Sequence, residues 1–215
     1  AVKKSLDYYT TNFSPYQHKQ VRIIEYPKTQ GQFAQSYANT IPFSEGIGFI
    51  ADVDDEDQDA VDYPFSVTSH EIAHQWWAHQ VIGANVQGAT MLSESLSEYS
   101  SLKVLEHQYG KSQMRKFLKD ALDKYLQGRT RERKKEQPLM YNESQQYIHY
   151  NKGSLVFYAL SDFIGEKKLN GVLKAYLQKV AFQDAPYTNS IELVNMLKEA
   201  TPDSLKYTIK DMFET

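Results

Sequence analysis

The chain has 215 residues, enough for one sizeable domain with a buried core, and its composition, 41% hydrophobic and 24% charged, is ordinary for a globular protein. Its formal net charge of -3 argues against nucleic acid as the main ligand, because phosphate-binding proteins usually carry a basic face. It contains no Cys, which excludes disulfides and thiolate ligands, so any metal site must use nitrogen and oxygen atoms.

The first part of the chain opens with an amphipathic segment and continues with a small β portion. The opening segment has apolar residues at helical spacing and ends at Pro15. Residues 21–26 are typical of a strand, which Pro27 ends. Residues 28–44 indicate irregular or extended chain, and a second apolar run covers residues 46–50.

An acidic segment, residues 52–62, separates this portion from the rest. Asp52, Asp54 and Glu56 alternate as calcium ligands do, but an EF-hand loop needs Gly at its sixth position, where this chain has Asp57. We therefore interpret the segment as a solvated surface loop.

From about Ser66 onward the apolar pattern has helical periodicity. With a β-containing part at about 1–65 and a helical part at about 66–215, we predict a single α+β domain that is mainly helical. The predicted helices cover residues 66–80, 91–108, 111–127, 144–164, 167–182, 190–200 and 203–213.

No apolar stretch reaches the ~20 residues that span a bilayer, and no signal peptide opens the chain. Because the first residue is Ala1 and not Met, we expect a processed or excised piece of a longer protein. That expectation leaves a membrane-bound or secreted parent chain open.

The sequence His70-Glu71-Ile72-Ala73-His74 is an HExxH motif on the first of these helices. Residues four apart lie on one face of a helix, so both imidazoles can bind the same Zn²⁺ ion. Glu71 lies beside that face, close enough to act on a water molecule at the metal without being a ligand. The motif therefore predicts one catalytic zinc site per chain.

The next helix supplies the remaining ligand. Glu94 and Glu98 are one helical turn apart, and we predict Glu94 as the third ligand, which leaves a fourth position for water. Glu98 would accept a hydrogen bond from the ring of a ligating His; the alternative is an ordinary surface glutamate.

Four segments together resemble the gluzincin metallopeptidases, in particular the aminopeptidase N family. In this chain, His70 to Trp77 resembles the zinc helix of that family, and Ser93 to Tyr99 resembles its second-helix segment. Tyr150 to Gly153 resembles its Tyr-x-Lys-Gly motif. The segment Phe43 to Gly48 occupies the place of the Gly-x-Met-Glu-Asn strand. The resemblance implies a thermolysin-like catalytic domain that removes N-terminal residues from peptides.

The resemblance also implies a role for each matching residue. Glu71 would be the general base, and the hydroxyl of Tyr150 would stabilise the oxyanion. Glu45 would bind the free amino group of the peptide substrate. A similar lone peptidase domain occurs in some bacterial multi-pass permease proteins, which implies a membrane-associated parent chain. The sequence indicates no oligomeric state.

Two other functions stay open. The family usually has eighteen residues between the second His and the ligand Glu, whereas this chain has nineteen, Gln75 to Ser93, which is the spacing of thermolysin-like endopeptidases. A one-residue insertion near residues 84–88 explains the difference equally well. The third possibility is a zinc-bound but non-hydrolytic peptide-sensing module of a membrane transporter, although a module of that kind needs neither Glu71 nor Tyr150.

Overall fold

The computed structural model describes residues 1–54, 57 and 60–215, and it confirms a mainly helical α+β fold. In the predicted acidic loop, Asp52, Asp54 and Asp57 are exposed, as expected of a solvated segment. Glu56, which the calcium-like alternation included, lies outside the described residues.

The N-terminal portion consists of one helix and a two-stranded sheet. Helix α1 (Val2–Asn12) precedes strand β1 (Arg22–Tyr26), which pairs in parallel with β2 (Thr40–Ser44). A 3₁₀ turn at Lys28–Gln30 follows β1. An antiparallel bridge between Ala34 and Phe43 places the intervening segment on the other side of β2.

The segment 43–48 differs from the strand that it resembles. Strand β2 ends at Ser44, and a short helix, α2 (Glu45–Gly48), begins directly after it. The Ser44 hydroxyl accepts a hydrogen bond from the Gly46 N–H, which caps this helix and ends the extended conformation. Glu45 therefore lies in the first turn of a helix and not in a strand.

All seven predicted helical segments contain helix. Two of them begin with a π-helical turn, which we name after its key residue: the Glu94 turn (Met91–Ser95) and the Tyr150 turn (Tyr147–Lys152). Three-residue 3₁₀ turns are found at Lys111–Gln113, Leu139–Tyr141 and Asp203–Leu205, and a further π-helical turn at Lys210–Glu214. The α-helices are α3 (Tyr63–Ala73), α4 (Leu96–Tyr109), α5 (Met114–Arg131), α6 (Gly153–Ile164), α7 (Glu166–Val180), α8 (Ser190–Ala200) and α9 (Lys206–Ile209).

The first of these helices is shifted relative to the prediction of 66–80. Helix α3 begins at Tyr63, because the Asp62 side chain accepts a hydrogen bond from Phe65 N–H at 2.9 Å and so caps the helix. After Ala73 the chain continues in irregular turns, because its backbone hydrogen bonds no longer all join residue i to residue i−4. The His79 N–H, for example, donates to His74 O.

The HExxH helix lies in the centre of the protein. It packs against α4, and the two tryptophans that follow it are fully buried. The Trp76 indole N–H donates to Ser14 O at 3.0 Å, and that of Trp77 donates to Ser100 Oγ at 2.9 Å. Each indole ring is thus buried while its N–H keeps a hydrogen bond. These contacts fix the chain directly after the HExxH helix.

Within the described residues, every helix is either too short or too polar to cross a lipid bilayer.

We expect Phe157→Ala to lower the free energy of unfolding by about 3–5 kcal/mol, because it leaves a cavity in the core. Phe157 is fully buried, and its ring centroid lies 6.1 Å from that of Tyr99 and 5.2 Å from that of Phe213. Urea unfolding measures the change. The matched control is Phe163→Ala on the same helix, where the side chain is 51% exposed. Equal losses for the two variants would contradict the packing described here.

Candidate metal centre and active site

Three side chains bring ligand atoms together at the end of α3. His70 Nε2 lies 2.9 Å from His74 Nε2, and Glu94 Oε2 lies 3.3 Å from each of these nitrogens. Among the described residues, these three form the group of His, Asp and Glu side chains that could hold a metal ion. The structure therefore brings together the three ligands that the sequence predicts.

Local helix geometry positions the two histidines. His70 belongs to α3, and His74 lies one residue beyond its end but keeps a helical backbone, with its N–H bonded to His70 O at 3.2 Å. The i, i+4 relation of the motif is therefore retained although the helix ends at Ala73. Glu94 comes from the Glu94 turn, which leads into α4, the helix that packs on α3.

Polar groups face the far side of each imidazole: hydrogen-bond partners at His74 and a carboxylate at His70. His74 Nδ1–H donates to Trp77 O at 3.1 Å, and Ser97 Oγ lies 3.0 Å from the same nitrogen. His70 Nδ1 lies 3.1 Å from Glu98 Oε1. With Nδ1 facing these partners, each ring directs the lone pair of Nε2 toward the shared point. The position predicted for Glu98, beside a ligating His, is the one observed.

The three residues fit a zinc ion. Glu94 Oε2 is buried without a hydrogen-bond partner, although two imidazole nitrogens lie 3.3 Å away. Converging lone pairs at this distance repel one another unless a positive charge lies between them. Tetrahedral coordination with bonds of about 2.0–2.1 Å separates ligand atoms by about 3.3 Å. Two imidazoles and one carboxylate are also a ligand set of catalytic zinc sites.

The pKa shifts of His70 and Glu94 also indicate that this point favours positive charge. Burial acts to lower the pKa of His70, but the carboxylates of Glu98 and Glu94 outweigh burial and hold this pKa well above its usual range. Burial acts to raise the pKa of Glu94, yet the neighbouring imidazoles of His70 and His74 hold this pKa well below its usual range. A cation at this point would stabilise the same charge arrangement as a proton on the imidazole does.

Glu71 and Tyr150 line one cavity of about 430 Å³ together with His70 and Glu98. Glu71 is buried and its Oε2 has no hydrogen-bond partner. Burial raises the pKa of Glu71, although the neighbouring His70 and His74 act in the opposite direction. A carboxylate in this state binds protons more readily than an exposed one, which suits an acid–base group.

Tyr150 stands beside the metal ligands. Its ring centroid lies 5.9 Å from that of His70. Burial, followed by the charge of Glu94, raises the pKa of the Tyr150 hydroxyl far above its usual value. The hydroxyl therefore stays protonated and can donate a hydrogen bond to an oxygen that becomes negative during a reaction.

The turn that carries Tyr150 packs tightly against the turn that carries Glu94. Ser95 Oγ donates to His149 O at 2.6 Å, and a Cβ atom at Gly153 would lie 2.3 Å from Ser95 Oγ. The Gly of the Tyr-x-Lys-Gly motif is thus required for this approach. Lys152 ties the turn to the loop after α5 through a 2.7 Å contact with Glu136.

The structure does not bring Glu45 to the cavity. Its Oε1 accepts a hydrogen bond from Lys28 N–H at 2.9 Å, at the end of the sheet where β1 continues into a 3₁₀ turn. The irregular segment Gln32 to Ala34 and Ile47 of α2 line the cavity, whereas the Glu45 side chain does not. The amine-binding role that the resemblance implies for Glu45 stays a prediction.

Sequence reasoning also missed one wall of the cavity. Four residues of α5 line it at i, i+3, i+4 and i+7 spacing: Phe117, Asp120, Ala121 and Lys124, named here the α5 stripe. Their spacing predicts a common face of the helix, but the face of an amphipathic helix usually contacts the core. Nothing in the sequence distinguishes a core-facing stripe from one that faces a cavity.

We expect Glu98→Ala to weaken zinc binding by about 10–100-fold, because outer partners orient the ligating imidazole. Competition with a chromophoric chelator measures the dissociation constant. The matched control is Glu199→Ala, at an exposed position of α8, which should leave zinc affinity unchanged. An unaltered dissociation constant for Glu98→Ala would mean that the contact with His70 does not orient the ring.

Several known proteins resemble this chain. Human endoplasmic reticulum aminopeptidase 2 is 27% identical over 128 residues, which are 55% of this chain and 13% of that protein. The M1 zinc metallopeptidase from Deinococcus radiodurans has a similar fold, with a TM-score of 0.69 at 17% identity over 97% of this chain and 42% of that chain. Leukotriene A4 hydrolase from Saccharomyces cerevisiae gives a TM-score of 0.75 at 15% identity, over 98% and 33% of the two chains.

The chain thus spans less than half the length of each of these relatives. The similarity in fold extends over the zinc helix, the Glu94 turn and the Tyr150 turn, since nearly all of this chain is aligned. The peptidase family M1 domain matches residues 1–215, the whole chain. This protein therefore belongs to peptidase family M1, a family of zinc metallopeptidases.

Proposed function

We propose that this chain hydrolyses peptide bonds with zinc held by His70, His74 and Glu94, and that it removes residues from the amino terminus of peptides. One observation carries the proposal: the ligand atoms of His70, His74 and Glu94 converge, and Glu71, whose buried Oε2 has no hydrogen-bond partner, lines a cavity together with His70. A structural zinc site has no need for such a carboxylate or for a cavity of this size.

The residues around the site have distinct tasks in this reaction. When bound, zinc supplies a Lewis acid that polarises the scissile carbonyl and lowers the pKa of a water molecule toward neutrality. Glu71 accepts the proton of the attacking water and delivers it to the nitrogen of the leaving amine. The Tyr150 hydroxyl donates a hydrogen bond to the carbonyl oxygen as negative charge develops there. Glu98 and Ser97 hold the two imidazoles in place.

Removal of amino-terminal residues is supported by the relatives. The human protein is an endoplasmic reticulum aminopeptidase, and a second relative, from Caenorhabditis elegans, is a putative aminopeptidase. A mutant of the Deinococcus metallopeptidase binds the peptide substrate Tyr-Ser-Ala. These proteins extend well beyond the region shared with this chain, so parts outside the shared region can contribute to their substrate binding.

A specific observation favours a second candidate, an endopeptidase. Binding of a free α-ammonium group in a cavity needs a carboxylate partner. Within the described part of the chain, three carboxylates line the cavity, and each has another partner or task. Glu71 is the proposed base, Glu98 faces His70, and Asp120 pairs with Lys124. An internal peptide bond needs no ammonium-binding site.

The deciding experiment is a substrate panel tested with zinc-loaded protein. It contains free-amine aminoacyl reporters and an N-blocked, internally quenched peptide. We expect cleavage of the free-amine substrates, and a fall in kcat/KM of about 100-fold or more in Glu71→Gln, which lacks the general base. Glu199→Gln, an exposed position, is the matched control.

The other results of this panel are equally informative. Cleavage of the blocked peptide alone identifies an endopeptidase. No cleavage of either class, with one zinc bound per chain, contradicts hydrolysis by this chain and favours the peptide-sensing module.

A second prediction concerns Tyr150. We expect Tyr150→Phe to lower kcat by about 100-fold with little change in KM, because the lost hydrogen bond stabilises charge that exists mainly in the transition state. Steady-state kinetics on the best substrate of the panel measures both constants. Tyr207→Phe, at a position that is 60% exposed, controls for the chemical change itself. A rise in KM at constant kcat would show that Tyr150 binds the ground state instead.

A further inference from the structure

Positive charge in this protein is concentrated in α5 and the segment that follows it. Residues 115–135 contain nine Lys and Arg residues and three Asp and Glu residues, whereas the rest of the chain contains fifteen basic and twenty-four acidic residues. This part therefore has a formal charge of +6 in a chain whose total is -3, which leaves -9 for all other residues. A charge separation of this size orients a protein in the field of a charged surface.

The cations at the end of α5 and directly after it lie at the surface. Four of them are exposed and make no salt bridge within the described part of the chain: Arg131, Arg133, Lys134 and Lys135. Glu132, which lies between them, uses its carboxylate to accept hydrogen bonds from the backbone N–H groups of Arg133 and Lys134. Cations outside salt bridges attract an external anion more strongly than paired ones do.

One face of α5 adds apolar side chains to this charge. Five exposed residues follow one another at i, i+4, i+7, i+11 and i+14 spacing, and we name them the outer face of α5: Arg115, Lys119, Leu122, Leu126 and Arg129. The two leucines are 43% and 46% exposed, and cations lie on both sides of them. Apolar residues between basic ones are typical of helices that lie in the headgroup region of a membrane.

The outer face is directed away from the catalytic cavity. Phe117, which lines the cavity, and Leu126 of the outer face are nine residues apart. At about 100° per residue, this spacing puts them on opposite sides of the helix. A helix with its side chains is about 10–12 Å wide, so a surface that touches the outer face lies about one helix diameter from the cavity.

The mixture of side chains favours a lipid surface over a nucleic acid. Nucleic-acid strands are held by cations together with aromatic rings on which the bases stack. In residues 115–135 the aromatic rings are not free for stacking, since Phe117 is buried and Tyr125 is partly buried with its hydroxyl bonded to Glu136. Exposed leucines gain little from a phosphate backbone, but they gain from the boundary between headgroups and acyl chains.

We propose that the outer face of α5 and residues 129–135 form a docking surface for an anionic phospholipid bilayer. The cations bind the headgroup phosphates, and the two leucines of the outer face enter the headgroup boundary. The acidic remainder of the protein is repelled by the same bilayer, so the contact is confined to this surface. Docking in this orientation holds the cavity close to peptides at the membrane surface.

Sedimentation with sucrose-loaded vesicles tests the proposal on the zinc-loaded parent protein. One set of vesicles is phosphatidylcholine alone, and the other is phosphatidylcholine and phosphatidylglycerol in equal parts. We expect the protein to bind the second set about 100-fold more tightly, because only these vesicles carry net negative charge. High salt should release the protein, since the Debye length falls from about 10 Å at about 0.1 M to about 3 Å at about 1 M.

A variant that combines Arg133→Gln, Lys134→Gln and Lys135→Gln should bind the anionic vesicles about 100-fold more weakly, since each cation near such a surface contributes about fivefold. The matched control removes three exposed cations of α7 and changes the net charge by the same amount: Lys167→Gln, Lys168→Gln and Lys174→Gln. This control should bind like the parent protein. An equal loss in the two variants would show that total charge is responsible, which overturns the assignment of the surface.

The leucines are tested separately. A variant with Leu122→Gln and Leu126→Gln should bind the anionic vesicles about tenfold more weakly, because less apolar surface leaves water. The control is Ile82→Gln with Ile191→Gln, at positions that are 54% and 44% exposed, and it should leave the affinity unchanged. An unaltered affinity in the leucine variant would overturn the insertion of the outer face.

The remaining outcomes separate the bilayer from other anions. Failure of the parent protein to bind the anionic vesicles overturns the proposal. If it then binds a fluorescent oligonucleotide, and the Arg133, Lys134 and Lys135 variant does not, the surface is one for nucleic acid. Vesicle binding includes no hydrolysis step, so its failure is distinct from failure of the proposed function. The same variant should keep the parent kcat/KM on soluble substrates, because its three residues do not line the cavity.

Discussion

The convergence of three lone pairs at one buried point is the constraint on which the site depends. The atoms His70 Nε2, His74 Nε2 and Glu94 Oε2 lie 2.9–3.3 Å apart, and a positive charge between them would stabilise their converging lone pairs. The imidazole of His74 is held by Trp77 O, from the turns after α3, and by Ser97 of α4, and that of His70 faces Glu98 of α4. The packing of α3 against α4 is therefore also the framework of the metal centre.

The convergence of the two predicted histidine ligands was predictable from the sequence because helix geometry determines how they are related. His70 and His74 keep their i, i+4 relation even though α3 ends at Ala73, since the next residue is still helical in its backbone. Glu98 was predictable for a similar reason, as it lies one turn after Glu94 on the same element. The position of the Glu45 side chain could not be predicted in this way, because its carboxylate accepts a hydrogen bond from Lys28 N–H, seventeen residues earlier in the chain.

The parts of the site that sequence reasoning missed are those that tertiary packing creates. Phe117 and Ala121 have the spacing of any amphipathic helix, and only the position of α5 beside α3 and α4 makes them face a cavity. The segment Gln32 to Ala34 has no periodic pattern, and its place beside β2 is set by long-range contacts such as the antiparallel bridge between Ala34 and Phe43. The helical class was simpler to predict, since seven long periodic segments point to it independently.

Both catalytic turns are π-helical where the sequence predicts regular α-helix, and they contact each other through Ser95, His149 and Gly153. One carries a metal ligand and the other carries the proposed oxyanion donor, so neither can shift without the other. In the proposed function, zinc binding and peptide binding would then share a coupling free energy, and the coupling is reciprocal at equilibrium. By whatever factor bound zinc tightens the peptide, bound peptide would tighten zinc by the same factor, so a bound peptide would also protect the site from chelators.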